Sequence, residues 1–148
     1  MIYKYQPAVT TGPNGSDPRP SDPGEDALTE LCTLDGWRYV SVPDGIAPIV
    51  PDALTTWQAV TVTPELREQI KAASPACRLI SQQIVARIRA NYSLDHELYL
   101  ARIGIGTLQG TYTPSADEQA EIMQYQIDVE ASREWGRQQR AAIGLTSE

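Results

Sequence analysis

In TWQAVTVTPEL, residues 56–66, the sequence changes character. Before this stretch, most of the prolines and glycines stand among Ser, Thr and Asp; after it, apolar residues recur at helical spacing behind helix-start signals. Thr63 followed by Pro64 is one such signal, an N-cap residue ahead of a proline at the first helical position. The sequence therefore predicts an α+β chain: an extended N-terminal arm over residues 1–62 and a helical domain over residues 63–148.

The helical domain is predicted to contain three to four helices. Ser74 before Pro75 repeats the start signal and opens a second helix that runs to about residue 92. Ser93 is the expected cap of a third helix. This third helix is expected to end near Ile103, because the glycines that follow favour a loop over residues 104–113.

A long helix closes the domain in this prediction. Ser115 and Glu118 have the spacing of a capping box, in which each side chain accepts a hydrogen bond from the other residue's backbone. The helix is expected over about residues 114–142, with Gly144 as its stop signal.

Residues 31–42, LCTLDGWRYVSV, predict a β-hairpin within the arm. Asp35 and Gly36 supply the two positive-φ positions of a type I′ turn between β-forming residues. One face of the hairpin carries Trp37 and Tyr39, and a lone two-stranded unit is marginal in water. The hairpin should therefore pack on the helical domain or on another subunit, and its acidic, proline-rich flanks favour another subunit.

The rest of the arm is expected to be extended. Residues 1–9 and 56–63 have the composition of short strands, and residues 43–54 form a proline-punctuated, stiff linker. Residues 10–26 contain no apolar side chain larger than proline, so we expect them to be disordered in isolation and ordered only by other chains.

Composition narrows the classes of function. The chain has 148 residues and a net charge of −7, and the arm is its more acidic part, which argues against nucleic-acid binding there. Two cysteines are too few for a disulfide framework, and no stretch reaches transmembrane length. Seven Tyr and three Trp stand against no Phe, a set that suits interfaces. The candidate partner-binding residues are Tyr3, Tyr5, Trp37, Tyr39, Trp57 and Trp135.

No residue pattern predicts a catalytic, metal or cofactor site. The glycines of residues 104–110 lack the spacing and the preceding strand of a phosphate loop. His96 has no spaced partner for a metal, and Cys77 has no context of a nucleophile. Paired carboxylates such as Asp117 and Glu118 fall at helix starts. We therefore expect a protein that is not an enzyme and binds no cofactor.

Four elements between residues 31 and 145 resemble small proteins encoded near the tail genes of tailed bacteriophages and prophages. These elements are a DG-aromatic hairpin with a proline-rich linker, a Thr-Pro-Glu-Leu helix start, an R-I-R-x-x-Y-S-x-x-x-E stretch and an R-x-W-G-R element in the last helix. In this chain they begin at Asp35, Thr63, Arg87 and Arg133. Residues 104–116 depart from the shorter members of this group.

The resemblance implies a structural component of a phage tail tip, baseplate or tail-fibre attachment. Its expected partners are other tail, baseplate or fibre proteins, in a symmetric assembly with several copies of the chain. Such a protein is made in the host bacterial cytoplasm and resides in the tail of the virion, with no membrane span and no nucleic-acid contact. Two alternatives stay open: a tail-fibre assembly chaperone that leaves the particle, and a small inhibitor of a host protein.

Overall fold

The computed structural model describes residues 1–7, 19–20, 28–52 and 54–146. Within these ranges the fold has a four-stranded antiparallel sheet and four helices, which confirms the α+β class and the long last helix. The elements are β1 (Ile2–Tyr5), β2 (Thr29–Leu34), β3 (Trp37–Ser41), β4 (Gln58–Ala59), α1 (Pro64–Ala73), α2 (Pro75–Asn91), α3 (Leu94–Leu108) and α4 (Ala116–Ala142). Except for residues 19–20, the stretch expected to be disordered (10–26) lies outside the described residues.

The N-terminal strand β1 lies inside the sheet, whose strand order is β2-β3-β1-β4. The predicted hairpin is confirmed as β2 and β3, which pair antiparallel. Asp35 and Gly36 at its turn have φ values of 51° and 77°, and a type I′ turn requires positive φ at both positions. Pairing of β1 with both β3 and β4 extends the hairpin into a larger sheet.

A β-bulge in β2 increases the number of side chains that the hairpin buries on one face. Glu30 stands opposite Val40 and Cys32 stands opposite Tyr39, so Leu31 is an extra residue on its strand. Without a bulge, neighbouring residues would point to opposite faces of the sheet. With it, Leu31 and Cys32 both belong to the same buried cluster.

The first face of the sheet packs against the helices that follow it. Ile2 and Tyr39 from the strands meet Ile70 of α1 and Cys77 of α2 in one buried cluster, and Leu145 joins them after the end of α4. Leu145 is preceded by Gly144, whose φ is +76°. A Cβ added at Gly144 would lie 3.2 Å from Ile2 Cγ1. Glycine therefore serves both the backbone turn and the close approach to β1.

The proline-rich linker covers the second face of the sheet. Tyr5, Val40 and Leu54 form a second buried cluster, and Val50 and Trp57 pack against it from the same connecting segment. The linker is therefore a layer of the core as well as a connection between β3 and β4.

The expectation that the hairpin packs on another subunit is wrong. Tyr39 is 7% exposed and lies in the chain's own core with Ile70 and Cys77. The segments that flank the hairpin in sequence are acidic and rich in proline, but they are not what covers it. In the fold, the helices after Thr63 return over the sheet and supply the apolar surface that the hairpin needs.

The helix starts predicted from the sequence are confirmed. Thr63 Oγ1 accepts a hydrogen bond from Leu66 N at 3.3 Å, and Ser93 Oγ accepts one from His96 N at 3.2 Å. These side-chain acceptors satisfy backbone donors that have no partner inside the helix. The capping box at Ser115 is also present: Ser115 N donates to Glu118 Oε2 at 2.8 Å, and Glu118 N donates to Ser115 Oγ at 3.2 Å.

The predicted end of the third helix is wrong, because α3 continues through Gly104 and Gly106 to Leu108. Glycine in a helix interior costs about 1 kcal/mol relative to alanine, a cost small enough for tertiary contacts to offset. Such a contact exists at Gly106, whose carbonyl oxygen accepts hydrogen bonds from the backbone N–H groups of Thr111 and Tyr112. An added Cβ at Gly106 would lie 2.9 Å from Tyr112 Cβ, so the glycine permits this tight return of the chain.

The chain divides into two compact units at positions that differ from the expected boundary between arm and helical domain. We call Met1–Ile80 with Gln138–Glu148 the sheet unit, and Ser81–Arg137 the helical unit. Residues of α1 and of the first turns of α2 belong to the sheet unit because Ile70 and Cys77 pack on the strands. The long helices α2 and α4 therefore contribute residues to both units.

Candidate interaction surfaces

Three of the six candidate partner-binding residues form one aromatic cluster in the sheet unit. The rings of Tyr3 and Trp57 stack with their centroids 4.8 Å apart and their planes within 10° of parallel. The Tyr5 ring lies tilted against Trp57, with a centroid distance of 6.0 Å. Tyr5 is only 1% exposed and belongs to the core, whereas Tyr3 and Trp57 are half-buried. The surface that this cluster offers to a partner therefore comes from Tyr3 and Trp57.

The other face of the sheet holds Trp37 and Tyr39. Trp37 is half-buried, packs against the core and carries Lys4 Nζ 4.5 Å from its ring centroid. Such a cation–π contact holds the lysine over the ring that a partner would otherwise reach. Burial raises the pKa of Tyr39, and the neighbouring Cys32 adds to the shift. The structure places Tyr39 in the interior, with little surface left for contacts between chains.

Trp135, the sixth candidate, lies in the helical unit. Its ring is half-buried, and the guanidinium carbon of Arg87 lies 4.7 Å from the ring centroid. Ser132 and Gly136 on the same helix are buried. Trp135 therefore packs within the helical unit, against Arg87 of α2, and the other five candidates belong to the sheet unit.

Polar contacts fix the register of α4 against the end of α2 and the start of α3. Tyr92 Oη donates a hydrogen bond to Asp128 Oδ2 at 2.7 Å, and this bond is the main reason that the pKa of Tyr92 rises to about 12. In the first turn of α3, His96 Nε2 lies 3.0 Å from Glu121 Oε1. The later residue of the first segment, His96, pairs with the earlier residue of α4, Glu121, so α4 runs antiparallel to the segment from Tyr92 into α3.

Glu118 is the last anchor of this register. Its Oε1 accepts hydrogen bonds from Tyr112 Oη at 2.8 Å and Tyr99 Oη at 3.0 Å. The bond from the Ser115 backbone, followed by those from the two tyrosines, lowers the pKa of the Glu118 carboxyl to about 2. The hydrogen bonds within the capping box and those from the two tyrosine hydroxyls therefore account for the lowered pKa of this carboxyl.

The face of α3 away from these contacts is apolar and exposed. Leu100 and Ile103 are the buried residues of this helix. At 3.6 residues per turn, a second set of residues lies on the opposite side. We call this set the α3 stripe; it consists of Leu94, Leu98, Ala101, Ile105 and Leu108. All five are exposed, and Leu108 is 90% exposed.

An apolar groove continues from the α3 stripe toward α4. The groove has a volume of about 450 Å³, and its lining includes Gly104 and Leu108 of α3 and Ile122 and Met123 of α4. Polar side chains also line it (Thr107, Gln119 and Gln126). Met123 is itself exposed, as is Ile127 one turn later. A contiguous exposed apolar surface of this kind marks interaction sites on soluble proteins more often than scattered single side chains do.

Sequence reasoning missed the α3 stripe because it ended the helix at Ile103. The signal was present: the five residues are spaced by four, three, four and three positions, the heptad spacing of a helix-packing seam. Interpreting Gly104 and Gly106 as loop residues removed the last two members from the pattern. Without them, only one heptad remained visible.

The structure shows where the residues considered for catalysis or metal binding lie. Cys77 lies in the core of the sheet unit, Gly104 and Gly106 are helical, and His96 lies beside Glu121. In the described part of the chain, no group of His, Cys, Asp or Glu side chains has an arrangement that could hold a metal ion. None of the described helices combines the length and the apolar character needed to cross a membrane.

Comparisons with protein families, curated proteins and solved structures found no match to this chain.

Proposed function

We propose that this protein is a structural component of a bacteriophage tail tip, baseplate or tail-fibre attachment and acts through protein–protein contacts. The observation that carries the proposal is the exposed apolar surface of the helical unit. Apolar surface left in water on a folded chain is costly, and burying it against another chain recovers about 25 cal/mol per Å². A surface built from the α3 stripe and the adjoining groove is suited to a protein partner.

The assignment to a phage tail is supported by the four sequence elements that resemble tail-associated proteins. Two of these elements meet in the helical unit. Arg87, the first residue of the R-I-R-x-x-Y-S-x-x-x-E stretch, lies over Trp135, the central residue of the R-x-W-G-R element. Tyr92, in the R-I-R-x-x-Y-S-x-x-x-E stretch, donates a hydrogen bond to Asp128 of α4, seven residues before Trp135. Because these two elements pack on each other, we expect them to maintain the fold of the helical unit, which is consistent with a structural role.

In this proposal the chain is made in the bacterial cytoplasm and enters the virion tail in several copies. It contacts other tail, baseplate or fibre proteins, performs no catalysis and needs no cofactor. The half-buried pair Tyr3 and Trp57 provides a second, smaller contact on the sheet unit.

Mass spectrometry of purified particles of the encoding phage tests this function. We expect the chain in virions at a constant ratio to the major tail proteins, and still present after a high-salt wash. Its absence from virions, together with loss of fibres from particles made without it, would identify the chaperone instead. Normal, infectious particles made without it would overturn any role in assembly.

A further inference from the structure

The α3 stripe has the geometry of one half of a two-stranded helical seam. Written as a heptad, Leu98 and Ile105 occupy a positions, and Leu94, Ala101 and Leu108 occupy d positions. The seam is about 22 Å long over the 15 residues of α3. It lies opposite the face that α3 already uses in its own unit, so a further helix can pack on it without displacing α4.

The charges that flank the α3 stripe are complementary to a second copy of the same helix. Glu97 occupies a g position on one flank, and Arg102 occupies the e position five residues later on the other flank. In a parallel, in-register pair, each g residue faces the following e residue of its partner helix. Glu97 of each copy, whose carboxylate also accepts a hydrogen bond from Tyr125 of α4, would then face Arg102 of the other, giving two symmetric ion pairs. In the described part of the chain, Arg102 takes part in no ion pair.

We therefore propose that the α3 stripe binds the α3 stripe of a second copy, with the two helices parallel and in register. A segment of the chain's own arm is a poorer occupant, because Val9 is the only branched aliphatic residue of residues 8–18 and 21–27. An antiparallel pair is also a poorer fit, since it would bring Arg102 close to its own copy near the two-fold axis. This inference rests on the proposed function, for which it names the contact between copies.

The proposed function and the proposed self-association are tested by different measurements. Virion composition tests the proposed function, whereas sedimentation of the purified protein tests self-association. Over a concentration series, the protein should shift from monomer to dimer. Leu98→Asp should weaken the dimer at least about 100-fold, because it buries two carboxylates in the seam. The matched control is Leu79→Asp on α2, since Leu79 is 54% exposed and Leu98 is 51% exposed; this variant should dimerise like the unmodified protein.

Charge reversal tests the partner and the direction of the helices together. Arg102→Glu should weaken the dimer about fivefold, since it places two pairs of like charges across the seam. Adding Glu97→Arg to it should restore dimerisation to within about twofold. Arg89→Glu, the same charge change at an exposed position of α2, should have no effect. Far-UV circular dichroism and melting temperature verify that each variant is folded.

A cysteine at Leu108 tests the parallel register. In the parallel pair the two introduced thiols face each other and should form a disulfide under mild oxidation. In an antiparallel pair centred on Ala101 they would be about 21 Å apart, too far for a bond. Cys32 and Cys77 are buried, so the introduced thiol is the accessible one.

A strictly monomeric protein, a Leu98→Asp variant that still dimerises, or a Leu108→Cys dimer that does not cross-link would each overturn the proposal. A monomer that loses a different tail protein on Leu98→Asp would assign the stripe to that protein instead.

Discussion

The sheet unit and the helical unit use their apolar residues in opposite ways. In the sheet unit, both faces of the sheet are covered by the same chain, one by helices and one by the proline-rich linker. In the helical unit, Tyr92, Leu100 and Ile103 are the buried large apolar residues within the described range, while nine others are exposed (Val85, Leu94, Leu98, Tyr99, Ile105, Leu108, Tyr112, Met123 and Ile127). The difference indicates that the sheet unit is stabilised by its own core, whereas the helical unit leaves much of its apolar surface exposed.

The largest expected effect is at the centre of the sheet unit. Ile70 is fully buried between α1 and the sheet, so Ile70→Ala should lower the free energy of unfolding by about 2–5 kcal/mol. Ile105→Ala, an equal truncation on the α3 stripe, should change it by less than about 0.5 kcal/mol in dilute protein. Urea denaturation followed by circular dichroism measures both. Equal losses would remove the contrast between the two units.

Trp37 tests whether the hairpin belongs to the chain's own core. The ring is half-buried against the first cluster and carries Lys4, so Trp37→Ala should cost about 1–3 kcal/mol in the isolated protein. The melting temperature of the purified variant measures this. Unchanged stability of the isolated variant would contradict the assignment of the Trp37 ring to the first cluster.

The two glycines of α3 should respond with opposite signs. Gly104 has no atom within 4 Å of an added Cβ, so Gly104→Ala should stabilise the helical unit by up to about 1 kcal/mol. Gly106→Ala places a Cβ 2.9 Å from Tyr112 Cβ and should destabilise it by about 1 kcal/mol or more. Hydrogen exchange of the α3 amides would detect both changes. A gain at both positions would show that Tyr112 moves freely.

The smallest effect concerns the cap of α4 and its dependence on pH. The folded pKa of Glu118 is lowered to about 2, below the value of about 4.3 for an unfolded chain, so its contribution is fully present above pH 5. That contribution is lost as the pH falls from about 5 to about 2. Glu118→Gln should therefore melt at a lower temperature than the unmodified protein at pH 6, and the gap should narrow toward pH 2. A gap that stays constant with pH would show that the carboxylate charge contributes nothing.

Local signals made most of the secondary structure predictable. Asp35-Gly36, Thr63-Pro64 and the Ser115 capping box each fix a backbone conformation through neighbouring residues, and each appears in the structure as expected. The end of α3 was not predictable in this way. Whether Gly106 continues a helix depends on the return of Tyr112, a contact that the sequence pattern does not reveal.

The candidate surfaces were harder to predict, for a related reason. Aromatic type alone could not separate Tyr5 and Tyr39, which are buried, from Tyr3 and Trp57, which stay half-exposed. That distinction depends on what covers each face of the sheet. The proline-rich linker was expected only to connect two strands. Its role as a covering layer depends on contacts of Val50 and Leu54 with Tyr5 and Val40, which local sequence patterns do not reveal.

The discontinuity of the sheet unit has a consequence for the order of folding. Its core joins Ile2 to Leu145, and Ser81–Arg137 lies between these two residues in the sequence. Contacts so distant in sequence form slowly, because a long loop must close before they contribute. During synthesis on the ribosome, the strands can pair early, but the first cluster lacks Leu145 until all of residues 81–137 have been made. The nascent protein must therefore keep Ile2, Tyr39 and their neighbours partly uncovered until the last helix is complete, which is the stage at which premature association carries the greatest risk.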